Sequence, residues 1–269
     1  MNTVADARAQ LSTEQAGSNL IVEVRNISKI YPGGVEALNG ISLGFPEGQL
    51  TSLLGPSGCG KTTLLKIIAG LIPATSGQVF VKGRQVSAPG PERSFVFQDF
   101  ALMPWATVMR NVAFGLELSG VSKSEREAIA ERYIADVALK GFEQKYPHQL
   151  SGGMRQRVGL ARALAVNADV VLMDEPFSAV DEQTRRRFQE DLLELVANHR
   201  KTFIFVTHSI EEAVYVSNRI ILLSRRPSRV SEIIDVRLPR DSSPDQIRRH
   251  PEYLDKVESI WQTLKHYVD

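Results

Sequence analysis

Residues 49–71 read QLTSLLGPSGCGKTTLLKIIAGL, and this stretch decides the fold. Gln49 to Leu54 is a short apolar run typical of a buried strand, whereas Lys61 to Leu71 places its aliphatic side chains on one helical face. Between them, Gly55 to Thr62 matches the pattern GxxxxGK followed by Ser or Thr, in the strand, loop and helix context that the pattern requires. The stretch therefore predicts a phosphate-binding loop rather than an ordinary glycine-rich turn.

The predicted loop has the chemistry of an anion site. Its backbone NH groups and the positive end of the helix dipole point at phosphate oxygens. Lys61 supplies a charged donor to the outer phosphates, and the Thr62 hydroxyl can bind magnesium. Cys59 is mostly a spacer, although a thiol at a helix N-terminus can have a lowered pKa. We therefore expect maleimides to inhibit the protein and bound ATP to protect it.

Strands and helices alternate again in the second half of the chain. Val170 to Met173, Thr202 to Val206 and Ile220 to Leu223 are apolar runs of strand length. The segments between them, Gln183 to Ala197 and the one that starts at Ile210, have helical periodicity. Alternating units of this kind predict an α/β fold with a mostly parallel sheet covered by helices on both faces.

Other parts of the chain depart from this alternation. Extended segments start at Leu20 and continue over Gln78 to Val86, with turns between them, and they predict an N-terminal antiparallel β subdomain. Residues 101–165 are mainly helical and predict an inserted α-helical subdomain. Residues 1–18 are small and polar, so we expect a flexible N-terminal extension.

The predicted core domain spans residues 19–228, and residues 229–269 follow it as a short strand and an amphipathic helix. Between Tyr253 and Val268, apolar residues recur at alternating spacings of three and four. This stripe predicts packing against the rest of the chain, with a groove on a partner protein as the alternative. The stripe comprises Leu254, Val257, Trp261, Leu264 and Val268.

Polar residues stand at the ends of several predicted strands. Asp174 suits magnesium binding, and Glu175 suits positioning or deprotonating a water molecule. His208 and Gln98 follow two other strands, and the carboxyl ends of parallel strands meet at one edge of a sheet. Each residue taken singly has a structural alternative, a solvated turn or a satisfied histidine. The phosphate-binding loop at the same edge favours a catalytic role.

A second helix start is also suited to anions. Ser151 is a good N-cap, and Gly152 and Gly153 leave backbone NH groups exposed. If this helix start lies away from the phosphate-binding loop, both can serve one nucleotide when two chains associate head to tail with two-fold symmetry. A plain capped helix is the alternative.

Composition excludes several function classes. The 32 Lys and Arg against 31 Asp and Glu leave a net charge of +1, too little to attract nucleic acid in bulk. The arginines at 185–187, 225–226 and 248–249 predict solvated helix and turn faces. No apolar run approaches the roughly 20 residues of a membrane span. A single cysteine and a start without a secretory pattern predict a cytoplasmic location.

These residues together resemble the ATP-binding subunit of an ABC transporter over about residues 20–228. The family's six core motifs occur in order: Gly55 to Thr62 resembles the Walker A loop, Gln98 the Q-loop glutamine, Leu150 to Gln156 the signature motif, Asp174 and Glu175 the Walker B aspartate and catalytic glutamate, residues 178–181 the D-loop, and His208 the switch histidine. Tyr31 resembles the aromatic residue that stacks on adenine. Met154 and Val180 depart from the common Gln and Leu, and Met154 has no side-chain amide to donate a hydrogen bond at that position.

The resemblance implies a homodimer that closes around two ATP molecules, each between one chain's phosphate loop and the other chain's signature. It implies catalytic roles for Lys61, Gln98, Glu175 and His208, and Mg²⁺ ligands at Thr62, Gln98 and Asp174. The nucleotide-binding residues that it implies are Tyr31, Gly55, Pro56, Ser57, Gly58, Cys59, Gly60, Lys61, Thr62, Thr63, Ser151, Gly152 and Gly153.

Short local likenesses narrow the family further. Residues 102–105, 146–149 and 224–227 are similar to the nitrate, sulfonate and taurine importer group, which also includes importers of bicarbonate, cyanate and pyrimidine-type vitamin precursors. The resemblance implies membrane-spanning permease subunits, a solute-binding protein and a peripheral place on the cytoplasmic face of the membrane. Phe100 to Asn111 is the expected permease contact. The alternatives are an exporter ATPase and a non-transport ATPase that acts on nucleic acid or the ribosome.

Overall fold

The computed structural model of the chain describes residues 19–178, 181–199, 201–240 and 242–267. The predicted extension at residues 1–18 lies outside the described residues. Apolar side chains of the described part form two cores on opposite sides of one large sheet. The α/β class predicted from the sequence is confirmed.

The large sheet has six strands, and their order is β10-β9-β3-β8-β7-β6. The five strands from β9 to β6 are parallel, and β10 adds an antiparallel edge. Strands β3, β7 and β8 are buried along their whole length, which explains their unbroken apolar sequences. The strands are β3 Leu50–Leu54, β6 Arg93–Val96, β7 Val170–Asp174, β8 Thr202–Thr207, β9 Arg219–Leu223 and β10 Val230–Asp235.

The predicted antiparallel sheet is present, with four strands in the order β2-β1-β4-β5. Its strands are β1 Leu20–Tyr31, β2 Val35–Pro46, β4 Ser76–Val81 and β5 Arg84–Gln85. Val22 and Val24 are buried while Arg25 is exposed, as the alternating pattern requires. Helix α1, Lys61–Ala69, packs between this sheet and the large one, because Leu64 and Ile68 join a core that draws on both sheets.

The segment predicted to be helical contains α2 Val108–Leu118, α3 Lys123–Asp136, a short 3-10 turn at Pro147–Gln149 and α4 Gly152–Ala165. Together with α5 Glu182–His199 and α6 Ile210–Val216, these helices form the second core, which lies on the face of the large sheet opposite α1. Two further helices, α7 Pro244–Arg249 and α8 Pro251–Lys265, end the described part of the chain.

The predicted apolar stripe of α8 is wrong at two positions. Leu254 and Trp261 are 53% and 54% exposed, whereas Tyr253 and Ile260 are buried. Val257 and Leu264 pack against the second core, so they lie at the middle of the apolar arc. The apolar residues of α8 cover a wider arc of the helix than the face that is buried. The predicted stripe lies along one side of this arc and therefore includes two exposed residues. Val268 lies outside the described residues.

Helix α8 nevertheless packs on its own chain, against α6, as the first alternative predicted. Within the described residues, no helix combines the length and the hydropathy that crossing a bilayer would require.

Candidate active site at the carboxyl edge of the sheet

The phosphate-binding loop joins β3 to α1 and passes through spaces that only glycine can occupy. A Cβ at Gly55 would lie 2.6 Å from the Leu223 carbonyl oxygen, and a Cβ at Gly60 would lie 2.9 Å from Leu38 Cδ2. Gly60 also has a φ of +108°, in the left-handed region that side chains disfavour. The neighbouring strands β9 and β2 therefore confine the loop, and the glycines permit that confinement.

Lys61 is the cation of this loop. Its side chain is buried, and Nζ donates hydrogen bonds of 2.8 Å to the carbonyl oxygens of Gly55 and Pro56. The ammonium group thus lies inside the turn, at the N-terminus of α1, where the helix dipole adds positive potential. An anion that reaches the loop meets a charged donor and the backbone NH groups of a helix start together.

A cavity of about 290 Å³ opens over the loop. The Tyr31 hydroxyl lies 3.1 Å from Thr63 Oγ1, so the tyrosine is tied to the first turn of α1. Ala37 and Arg226 complete the wall. The predicted site residues that line this cavity are Tyr31, Ser57, Gly58, Gly60, Lys61, Thr62, Thr63 and Glu175.

Asp174 ends β7 beside the loop. Its Oδ1 accepts a 2.7 Å hydrogen bond from the Thr62 hydroxyl, across 112 residues of sequence. Burial raises the pKa of Asp174, because a charged carboxylate loses solvation there. A hydroxyl and a carboxylate side by side are the oxygen donors that Mg²⁺ prefers, and a cation would relieve the buried charge. The two residues therefore fit the metal that the family implies.

Glu175 has a strained backbone. Its φ is +46°, which is uncommon for a residue with a side chain and often marks functional positions. Hydrogen bonds hold this conformation: its NH donates to the Val206 carbonyl at 3.1 Å, and its own carbonyl accepts from the Ser178 hydroxyl at 3.0 Å. The geometry turns the side chain away from the buried strand and towards the cavity.

His208 follows β8 and meets Glu175 across the edge of the sheet. Its Nδ1 lies 3.1 Å from Glu175 Oε2, and its side chain is 59% exposed. The sequence argument about neighbouring strand ends thus brought the two residues to the same place. His208 does not itself line the cavity, but an accessible imidazole that contacts the lining residue Glu175 can donate or accept a hydrogen bond beside it.

Gln98 and the second helix start are placed elsewhere. Gln98 follows β6 and is exposed, and it does not line the cavity. Ser151 is the N-cap of α4, and its Oγ accepts a 3.3 Å hydrogen bond from the Met154 NH. No residue of α4 lines the cavity within the described part of the chain. In the D-loop, Asp181 caps α5 through Thr184, whereas residues 179–180 lie outside the described residues.

Cys59 does not have the lowered pKa that its place at a helix start suggested. The thiol is buried at 1% exposure, and this burial raises its pKa although Lys61 opposes the shift. The sequence argument weighed the helix dipole and had no measure of burial, which is the larger effect here. Rapid maleimide labelling of the folded protein is therefore no longer expected.

Arg226 is the residue that sequence reasoning missed. It was expected on a solvated turn, but its Nε and Nη2 donate to the Gly58 carbonyl at 3.0 and 2.6 Å, and it lines the cavity. The signal was present, because Arg226 follows β9, the parallel neighbour of β3. The rule that located His208 would have located it too.

A buried loop lysine at a helix start, with a carboxylate at the end of another strand of the same parallel sheet, defines a P-loop nucleoside triphosphatase. The sequence profile of the ABC transporter family matches residues 38–178. The chain belongs to this family, and it is an ATP-binding protein that hydrolyses ATP.

Several known proteins are similar to this chain over most of its length. An uncharacterised ABC transporter ATP-binding protein of Methanocaldococcus jannaschii is 49% identical over 92% of each chain. The taurine import ATP-binding protein TauB of Shigella sonnei is 45% identical over 87% of this chain and 94% of that protein. The dimer of an ATP-binding cassette, solved in a post-hydrolysis state with ADP and Pi, is 34% identical with a TM-score of 0.72; the match covers 80% of this chain and 99% of that one. The predicted likeness to the nitrate, sulfonate and taurine group is thereby confirmed.

Proposed function

We propose that this ATPase powers the uptake of a small solute of the nitrate, sulfonate and taurine group by coupling ATP binding, dimer closure and hydrolysis. The observation that carries the proposal is the 45% identity that extends over 94% of a taurine import ATP-binding protein. The likeness spans the helical segment as well as the nucleotide site. In this proposal residues 19–228 form the ATPase unit, the helical subdomain is at about 101–165, and 229–269 are an appended strand and helix.

The residues of the cavity have distinct roles in the proposal. The loop from Gly55 to Thr63 holds the phosphates through its backbone NH groups, which Pro56 lacks, and through the Lys61 ammonium, and Tyr31 stacks on the base. Lys61 must exchange its bonds to the Gly55 and Pro56 carbonyls for phosphate oxygens when ATP binds. Glu175 orients the attacking water, and His208, which Glu175 holds at 3.1 Å, reaches the γ-phosphate.

Magnesium completes the proposed site. Thr62 and Asp174 would hold Mg²⁺, with Gln98 as a third ligand once its segment approaches the cavity. When bound, the ion neutralises phosphate charge. Glu175 and His208 remain the residues that handle the water and its proton.

The helix start of α4 acts in the second copy of the chain. Ser151, Gly152 and Gly153 of one subunit bind the nucleotide that the phosphate loop of the other subunit holds. This arrangement agrees with their position outside the cavity of their own chain. The homodimer closes because the triphosphate joins both surfaces, and closure supplies the force for transport.

Membrane-spanning permease subunits are the proposed partners, and through them a solute-binding protein. The segment from Phe100 to Asn111 is suited to the permease contact, because Trp105 is 74% exposed. The buried Asn111 amide holds the segment by donating to the carbonyls of Met103 and Ala106 at 3.2 and 3.0 Å. The proposal places the chain peripherally on the cytoplasmic face of the membrane and gives it no nucleic-acid partner.

Reconstitution tests this function. The chain is incorporated with a candidate permease into liposomes, and ATPase activity is measured with binding proteins loaded with sulfonates, nitrate or pyrimidines. We expect stimulation by one class of solute, and the unloaded binding proteins are the control. Co-purification with DNA, RNA or ribosomes in place of membranes would contradict import, and ATP-driven movement of solute in the opposite direction would indicate an exporter.

A further inference from the structure

The turn that follows β9 is fixed to the rest of the fold. Within it, the Ser224 NH donates to the Arg229 carbonyl at 3.0 Å, and the Arg229 NH donates back to Ser224 Oγ at 3.0 Å. The turn is also joined to β2, because the Asn39 NH donates to the Ser228 carbonyl and the Ser228 NH donates to the Ala37 carbonyl. The backbone of the turn is therefore already ordered, so a side chain that projects from it loses its own rotamer freedom but no further backbone freedom when it makes a contact.

Arg226 projects from this turn onto the phosphate loop. Its two donors share the Gly58 carbonyl, at 3.0 Å from Nε and 2.6 Å from Nη2. The Cys59 NH belongs to the same peptide unit as the Gly58 carbonyl, and it donates to the Pro56 carbonyl at 3.3 Å. The peptide that joins Gly58 to Cys59 is therefore held from both sides, and Arg226 supplies one of the two restraints.

Arg226 also changes the charge of the cavity. It lines the wall together with Lys61, and Glu175 is the only acidic residue among the described residues that line it. A guanidinium group stays charged at all physiological pH values. Two fixed cations thus face a ligand that carries several negative charges, and attraction of this kind weakens as salt is added.

We propose that Arg226 is a positioning residue of the ATP site: it holds the phosphate loop at Gly58 and adds a second cation, so that ATP binds more tightly. The proposal rests on the ATPase activity of the chain and not on the identity of the transported solute. Because Arg226 contacts the loop and not the water-handling residues Glu175 and His208, its effect falls on affinity rather than on turnover.

Calorimetric titration with ATP tests the proposal. We expect Arg226→Ala to raise the Kd and the KM for ATP by roughly tenfold, the scale of one hydrogen bond to a charged group, while kcat changes less than about threefold. Arg226→Lys keeps the charge but not the paired donors, so an intermediate Kd is expected. Arg225→Ala is the matched control, because the neighbouring guanidinium contacts the His266 carbonyl instead of the loop.

Salt separates an electrostatic role from a merely structural one. The difference in Kd between the wild type and Arg226→Met should shrink in 0.5 M KCl, on the order of the screening expected at that ionic strength. A Kd for ATP in Arg226→Ala that equals the wild type would overturn the proposal. So would a salt-independent loss accompanied by a lower melting temperature. Failure of the wild type itself to bind ATP would instead overturn the nucleotide site as a whole.

Discussion

The two glycine-rich helix starts of this chain use the same physics and differ in what surrounds them. At the start of α1, Lys61 is buried in the loop, and Asp174 and Glu175 lie beside it. At the start of α4, Ser151 is exposed, and Arg155, the first basic residue of the helix, donates to the Leu150 carbonyl at 2.8 Å. The first start forms a cavity within one chain, whereas the second presents donors on a surface.

Because of this difference, one chain is an incomplete enzyme in the proposed mechanism. Helix-dipole attraction alone contributes about 0.3–1 kcal/mol at an exposed helix end, too little to bind a nucleotide. The start of α4 can contribute only where another surface already holds the phosphates. Four experiments test this difference between the two helix starts.

The largest effect is expected for Glu175→Gln. The amide keeps the shape of the side chain but cannot take a proton from water, so kcat should fall by at least about 10²-fold while ATP affinity is kept. Steady-state phosphate release and calorimetry measure the two quantities. With hydrolysis blocked, ATP should also convert the variant to a dimer in light scattering.

Glu182→Gln is the control for Glu175→Gln, because Glu182 is an exposed acid at the start of α5 that forms ion pairs with Arg185 and Arg186. An unchanged kcat in Glu175→Gln would remove this residue from the mechanism. A variant that stays monomeric with ATP would argue against the head-to-tail site.

Gly153→Asp tests the start of α4 directly. A carboxylate in the first turn suits the helix dipole, so folding should be unaffected, but it repels the phosphate of the partner's nucleotide. We expect ATPase activity to fall by about 10²-fold, the scale of losing a transition-state donor, and ATP binding by the single chain to stay within about twofold. Ser124→Asp is the matched control, since Ser124 is the second residue of α3, as Gly153 is of α4. Equal losses in both variants would contradict the proposed role of α4.

The same contrast explains what could be predicted from the sequence. The loop is predicted by its own motif, and Asp174, Glu175 and His208 by the rule that strand ends share an edge in a parallel sheet; both depend only on local pattern and topology. Arg226 was missed because an arginine pair on a turn favours a solvated face when no partner is visible in the sequence. The Cys59 pKa and the buried face of α8 depend on packing from distant elements, which periodicity does not contain.

Cysteine labelling compares the two helix starts by accessibility. Cys59 is buried and its pKa is raised, so at pH 7 less of it is thiolate than of an ordinary cysteine. We expect maleimide to label it more slowly than Ser151→Cys in a Cys59→Ala background, by about tenfold or more. The Cys59 rate should rise about tenfold per pH unit between pH 7 and 8.5, since this range lies below the raised pKa.

ATP sharpens the labelling test. In the Glu175→Gln background, dimer closure should protect Ser151→Cys from maleimide, and the exposed control Ser119→Cys at the end of α2 should label at the same rate with and without ATP. Fast labelling of Cys59 at pH 7 would contradict its burial. Unprotected Ser151→Cys in a demonstrated dimer would show that the start of α4 faces away from the nucleotide.

The smallest effect is expected where this chain departs from its family, at Met154. The Met154 side chain is half-buried and packs against the core of the helical segment, so it serves the fold of α4. Met154→Gln exchanges an apolar group for an amide of similar length, and we expect a loss of about 1 kcal/mol in urea unfolding with ATPase activity within about threefold. Met154→Leu, which keeps the apolar contact, should have wild-type stability. A rise in activity of tenfold or more in Met154→Gln alone would mean that an amide at this position reaches the partner's nucleotide, and the start of α4 would then depend on side-chain donors as well as on its backbone.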